Sequence, residues 1–134
     1  MHLKSSVPAF PVVDLAAALD FYALKLGFEE RYRNGRFAVI VRDEIELHLW
    51  VSNDKSWKRR WRNQPIVSGA ESFLAGTASC RFCCEGIDAL YANLREEGVI
   101  HPNGALKTTP WGMDEFAILD LDGNLITFFE NSAA

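Results

Sequence analysis

Three short stretches of this 134-residue chain hold side chains that can do chemistry. The first is Glu46-Leu47-His48-Leu49-Trp50, where an acid, an imidazole and an indole recur at every second position. In a strand, that period puts all three on one face. A carboxylate beside a histidine can orient it as a general base, or the pair can offer O and N donors to a divalent ion. A lone strand histidine is more simply a hydrogen-bonded, pocket-lining residue, and no nucleophile–base pair with a local motif accompanies this one.

The second stretch, Cys80-Arg81-Phe82-Cys83-Cys84, contains all three cysteines. Cys80-x-x-Cys83 has the spacing of a redox or zinc half-site, but no second Cys/His pair follows at finger spacing. It also has the composition of a strand, so buried or partly buried thiols are expected. The third stretch is Pro110-Trp111-Gly112. Proline stiffens the loop before the tryptophan, and glycine leaves space beside it. Such a ring is either a ligand-facing face or a core or subunit-interface residue; the ligand-facing role is the expectation.

Composition limits the partners. Hydrophobic residues make up 49% and charged residues 24%, ordinary for one folded domain. The net charge of −4 speaks against nucleic acid, whose phosphates need a basic surface. No apolar run reaches the roughly 18 residues needed to span a bilayer. The opening MHLKSSVPAF lacks the apolar core of a signal peptide, and the cysteine count is odd, so a reduced, cytoplasmic setting is expected.

These stretches sit on two copies of one unit. The first copy opens with an apolar stretch at 7–13, broken by Pro8 and Pro11 as in an edge or terminal strand. Asp14 is a helix N-cap, Leu15, Leu19, Tyr22 and Leu26 form an apolar helical stripe, and Gly27 ends it. Strands follow at 28–33, 36–42 and Ile45–Val51, with Asn34-Gly35 as a hairpin turn. The second copy has a strand at 79–85 and a helical stripe of Ile87, Leu90, Tyr91 and Leu94 ending at Gly98. Strands near Val99, at 115–120 and at 125–130 complete it, with Gly123 in the last turn. The fold class is therefore α+β: two tandem βαβββ modules, about 1–52 and 78–131. One face of each set of strands lies under a helix, and the other is left for something else. The connection at 53–77 contains SWKRRWRNQP and exceeds the length of a passive loop. It is either a solvated basic loop anchored by Trp57 and Trp61 or a lid.

Paired βαβββ modules with Val7-Pro8, Asp14-Leu15, Phe21-Tyr22, Leu26-Gly27-Phe28, Phe37-Ala38, Gly86-Ile87-Asp88 and above all Pro110-Trp111-Gly112, Glu115-Phe116-Ala117 and Asp120 with Gly123-Asn124 resemble the vicinal oxygen chelate superfamily. That superfamily includes glyoxalase I, extradiol dioxygenases, and fosfomycin- and bleomycin-resistance proteins. The resemblance is closest to the bleomycin-resistance proteins and covers nearly the whole chain. It implies a curved mixed-sheet cup and a homodimer that exchanges N-terminal arms, with ligand grooves where the subunits meet.

The metalloenzymes of the superfamily carry His or Glu ligands on inner strand faces. Carried across, those positions fall near Val7, on His48, near Ser79 and on Thr127. Phe37 to His48 and Phe116 to Thr127 are both eleven residues apart, which sets His48 opposite Thr127 in the repeat. One good donor, helped by Glu46, does not make the three or four that a divalent ion wants, so no metal or other cofactor and no catalytic residues are expected.

The resemblance implies instead a binding protein that sequesters a planar aromatic ligand such as a bleomycin-family antibiotic. Phe37 and Trp111 match aromatic positions that flank the drug, and Gly112 leaves space; Trp50, Arg81 and Cys83 face the cup by alternation, Glu46 and His48 share the face of Trp50, and acidic rims such as Glu44, Glu46 or Asp114 suit the drug's cationic tail. The cationic Lys58, Arg59, Arg60 and Arg62 depart from what a cationic drug would choose. Two alternatives remain at this point: a metal-dependent lyase or dioxygenase using His48 and Glu46, and a structural dimer with a vestigial cup.

Overall fold

The computed structural model describes residues 1–52 and 73–131. The cationic stretch at 58–62, with Trp57 and Trp61, lies outside the described residues. The element order is β1 (Ala9–Val12), α1 (Leu15–Leu26), β2 (Glu29–Arg33), β3 (Phe37–Arg42), β4 (Ile45–Val51), β5 (Ser79–Cys83), α2 (Ile87–Glu96), β6 (Lys107–Thr108), β7 (Met113–Leu119) and β8 (Leu125–Asn131). The βαβββ order thus occurs twice. Each module has its own four-stranded mixed sheet, β1-β4-β3-β2 and β5-β8-β7-β6, whose first strand runs parallel to its last.

Local chemistry explains the helices. Asp14 accepts from the Ala17 amide at 3.0 Å, which satisfies one of the free N–H groups at the start of α1. Gly27 closes that helix at φ 71°. The N-cap of α2 is Gly86, which has no side chain to cap with. Glu130 on β8 does the work instead, accepting from the Gly86 and Ile87 amides at 3.1 and 3.0 Å.

Strand alternation divides each sheet into two faces. Ala38, Ile40, Leu47 and Leu49 in one sheet, and Phe82, Phe116, Ile118, Ile126 and Phe128 in the other, are buried. They join Leu15, Leu19, Tyr22 and Leu26 of α1 and Ile87 and Leu94 of α2 in a single apolar cluster. Ring contacts run across the modules: Tyr22–Phe28 at 5.7 Å, Phe28–Phe82 at 6.5 Å, Phe82–Phe128 at 5.9 Å and Phe116–Phe128 at 5.2 Å. Each buried aromatic of this kind stabilises the fold by roughly 1.5–3 kcal/mol.

A polar clasp also joins the modules. Asp120 accepts from the Tyr22 hydroxyl at 2.8 Å, from the Asn124 side-chain amide at 3.0 Å, and from the Asp122 and Asn124 backbone amides at 2.9 and 2.8 Å. Asn124 donates to the Pro11 carbonyl at 2.8 Å, and Asp122 accepts from the Val13 amide at 3.0 Å. What the sequence presents as an ordinary hairpin turn is also the tie between the two units.

Three expectations are corrected. The strand expected near Val99 is only a bridge, Ile100 to Ile118. Pro102 lacks an amide, and the backbone turns at Gly104, where an added Cβ would stand 2.7 Å from the Ala117 carbonyl; the pairing strand is β6, farther on. The first strand begins at Ala9 rather than Val7. The eleven-residue match also slips on one side. Val39 pairs with His48 and Ala117 with Thr127, so His48 and Thr127 do correspond, but Phe37, across from Trp50, corresponds to Glu115, across from Phe129. Phe116 corresponds to buried Ala38. The longer turn of the second hairpin absorbs the difference. No helix among the described residues is long and apolar enough to cross a membrane.

Candidate functional site

The face of the first sheet turned away from α1 gathers four of the expected residues. Phe37 on β3 lies directly across from Trp50 on β4, with ring centroids 4.3 Å apart and the planes tilted by 44°. His48, two positions along β4, meets the Phe37 ring edge-on at 5.1 Å. Its Nε2 lies 2.8 Å from Glu46 Oε2, and Arg31 of β2 reaches the other Glu46 oxygen at 3.5 Å. Tyr32 extends the aromatic surface, 6.3 Å from Phe37. Trp50 is 42% exposed. The result is an aromatic platform beside an ion-paired acid. Such a surface offers π faces to a planar ring and a carboxylate already paired with Arg31 and hydrogen-bonded to His48.

Arg81 belongs to the second sheet. Its guanidinium donates to Glu115 Oε2 at 3.0 Å and stacks over Phe129 at 4.8 Å. By register, Glu115 and Phe129 occupy the places that Phe37 and Trp50 occupy in the first sheet. The repeat therefore puts an aromatic pair on one open face and a charged clamp over one ring on the other. Sequence reasoning missed Glu115 and Phe129, although period-two alternation from Thr127 and Ala117 reaches both.

Trp111 and Gly112 form the turn between β6 and β7. Thr109 is buried and fixes this turn: its amide donates to the Met113 carbonyl at 2.7 Å, and its hydroxyl accepts from the Met113 amide at 3.1 Å. Gly112 adopts φ 85°, a conformation that side-chain-bearing residues pay for. The consequence is a tryptophan held 71% exposed by a stiff turn. It makes no hydrogen bond or ring contact among the described residues, so it is neither a core residue nor an anchor of its own chain. Asp114 beside it accepts from the Thr108 hydroxyl at 2.6 Å. Among the described residues no hydrogen bond, ion pair or ring contact joins Trp111 or Arg81 to the Phe37–Trp50 platform.

The inner strand positions are poor in metal donors. Across from His48 stands Ala9, and across from Thr127 stands Arg81. Ser79 lies two residues from Arg81 on the same face of β5, and Val7 precedes β1. No group of three or more His, Cys, Asp or Glu converges among the described residues. The donor set does not fit a divalent ion, which requires at least three convergent ligands.

The thiols divide by burial. Cys80 packs against the core, where burial pushes its pKa up to about 12, and burial pushes Cys84 up to about 11. Cys83 is exposed, contrary to the expectation of buried or partly buried thiols, because β5 ends there and its side chain shares the open face with Arg81.

Comparison with known proteins agrees with this architecture. Residues 5–128 match the model of the Glyoxalase/Bleomycin resistance protein/Dioxygenase superfamily. A bleomycin resistance protein of Geobacillus stearothermophilus is 46% identical over 128 residues, covering 96% of this chain and 97% of that protein. The crystal structure of a bleomycin-binding protein from bleomycin-producing Streptomyces verticillus, complexed with copper(II)-bleomycin, superposes with a TM-score of 0.69 at 23% identity, covering 96% of both chains. A lactoylglutathione lyase from Agrobacterium tumefaciens superposes equally well, with a TM-score of 0.72 at 20% identity over 96% of this chain and 94% of that one. Shape alone thus does not separate binder from enzyme. The repeated βαβββ architecture, the family match across both modules and the near-full-length identity together show that this chain belongs to the Glyoxalase/Bleomycin resistance protein/Dioxygenase superfamily.

Proposed function

We propose that this chain is a non-catalytic binding protein of the bleomycin-resistance type. It sequesters a planar aromatic ligand, a bleomycin-family antibiotic, in a groove formed between two copies of the chain. The observation that carries this reading is the 46% identity over 96% of the chain to a bleomycin resistance protein. The exposed aromatic groups suit it. Phe37 and Trp50 supply one flat wall, Trp111 supplies a second on a separate turn, and Gly112 gives that turn its form. His48, Glu46 and Arg81 complete the ligand-binding set as polar neighbours of those rings. Because Trp111 projects away from its own chain, a wall on a second copy is the natural partner for it. Residues 1–8 have no regular secondary structure, and Leu3 is fully exposed, which suits an arm that crosses to that copy. A cytoplasmic location belongs to the same reading.

Sequestration needs affinity without turnover. Titration of tryptophan fluorescence with metal-free and copper-loaded bleomycin should give saturable quenching at one drug per chain, and mass spectrometry should recover the drug unmodified. A chemically altered drug would overturn the non-catalytic reading. The lyase or dioxygenase alternative would need further ligands beside His48 and Glu46, which are already bonded to each other. Elemental analysis showing a stoichiometric divalent metal, lost in His48→Ala, would favour it.

A further inference from the structure

The seam between the modules is closed at one end and open at the other. Strand register equates Ala9 with Arg81, and the helix starts equate Leu15 with Ile87. Carried along the chain, the same correspondence equates Pro11 with Cys83, Val13 with Glu85 and Tyr22 with Leu94. At the closed end, Tyr22, Pro11 and Val13 are the groups gripped by the turn that carries Asp120, Asp122 and Asn124. At the other end, the matching turn of the first module is only Asp43-Glu44, between β3 and β4. It makes no hydrogen bond to Cys83 or Glu85 among the described residues, and Leu94 has no hydroxyl to offer.

A cleft of about 810 Å³ remains there. That size falls within the roughly 300–1,000 Å³ of small-molecule sites. Phe28, Phe82, Phe128 and Leu90 form its apolar wall, and Glu44 and Glu85 stand at its rim. Glu44 and Glu85 carry no hydrogen bond or ion pair among the described residues. The other charged groups of the cleft are engaged: Arg42 donates to the Leu26 carbonyl at 2.7 Å and lies 3.8 Å from Asp43. The amides at the start of α2 are taken by Glu130. The cleft therefore presents an apolar wall and more carboxylates than cations, with Asp43, Glu44 and Glu85 against Arg42. None of Phe37, His48, Trp50 or Trp111 lines it.

We propose that this cleft is a second ligand site, separate from the aromatic platform, for a small organic cation. Its apolar body rests against the three phenylalanines, and its ammonium is neutralised by Glu44 and Glu85. The carboxylates favour a cation over a neutral body of the same shape, and the apolar wall favours a weakly hydrated quaternary ammonium among cations. This inference does not depend on the identity of the ligand at the platform.

Calorimetric titration of the full chain with benzyltrimethylammonium, and with neopentylbenzene as its uncharged isostere, tests it. The cation should bind saturably at one per chain, with the isostere about tenfold weaker, the scale of a charge pair at a partly desolvated rim. Ala89 lines the cleft from the exposed side of α2, so Ala89→Lys should set a positive charge in it and weaken cation binding about tenfold without disturbing the core. The double variant Glu44→Gln, Glu85→Gln should bring the cation down to the affinity of the isostere. Phe37→Ala should leave cation affinity unchanged, and Ala89→Lys should leave any bleomycin binding unchanged. No binding by the unaltered chain, equal affinity for cation and isostere, or cation affinity unchanged in Ala89→Lys would overturn the proposal. Loss of bleomycin binding in Ala89→Lys would overturn the separation of the two sites.

Discussion

Trp111 is the residue on which the binding reading can be tested most cleanly. It is 71% exposed and makes no hydrogen bond or ring contact among the described residues. Trp111→Ala should therefore leave the unfolding midpoint within the usual scatter of about 0.5 kcal/mol for surface changes. The same variant should weaken bleomycin binding by about 1–3 kcal/mol, the scale of a buried aromatic anchor. Unchanged affinity would remove Trp111 from the site. Phe37→Ala tests the opposite wall: it should weaken binding and also expose the edge of Trp50, its partner at 4.3 Å. These positions were legible in the sequence because alternation and turn chemistry are local. The hydrogen bond of His48 with Glu46 was half legible: they share a face by period two, while the approach of Arg31 to Glu46 depends on how β2 is registered against β3.

Among the elements, the turn between β7 and β8 matters most. The Asp120 carboxylate accepts four hydrogen bonds, one from Tyr22 in the other module. Tyr22→Phe removes that donor and keeps the ring in the core. It should lower stability by about 1–3 kcal/mol, the cost of losing a buried bond to a carboxyl group. The denaturant midpoint would fall with the slope m unchanged, provided both modules still unfold together. A separate transition for one module would mean that the clasp, and not only the shared apolar cluster, couples the two. Helix positions and strand alternation in this part of the chain followed from the sequence. The clasp did not, because its partners stand 98 and 113 positions apart and nothing local distinguishes such a turn from any other Asp-Gly turn.

For the whole molecule, alkaline pH is the informative variable. Burial, first, and the nearby Asp120 raise both Tyr22 and Cys80, and burial raises Cys84. In each case the folded state holds its proton to higher pH than the unfolded chain does. Above the unfolded thiol value of roughly 8.5, the unfolded state binds fewer protons, so stability falls as pH rises. For Cys80 this loss continues towards pH 12. The urea midpoint should drop between pH 8 and about 10.5 by this linkage, and Cys80→Ser should flatten part of that drop. A pH-independent midpoint over that range would refute the assignment. Asp122 adds an acid counterpart: burial raises its carboxyl, only partly opposed by the bond from the Val13 amide, and one of its oxygens is buried without a partner among the described residues. Its contribution therefore favours the folded state more as pH falls through its raised pKa towards the ordinary aspartate range. At the same scale, sedimentation of the chain should give a dimer that binds one drug per subunit, as grooves built from two copies require.

The sequence by itself determined the twofold βαβββ order, the helix boundaries at Asp14 and Gly27, and the shared face of Glu46, His48 and Trp50. Each rests on a period or a capping preference that acts over a few residues. Tertiary structure alone decided that Phe37 stands opposite Trp50 and corresponds to Glu115, that Arg81 is held by Glu115 and Phe129, and that the seam between modules is clasped at one end and open at the other. Those outcomes depend on strand register and on the different lengths of two hairpin turns, and register is set by burial summed over a whole sheet.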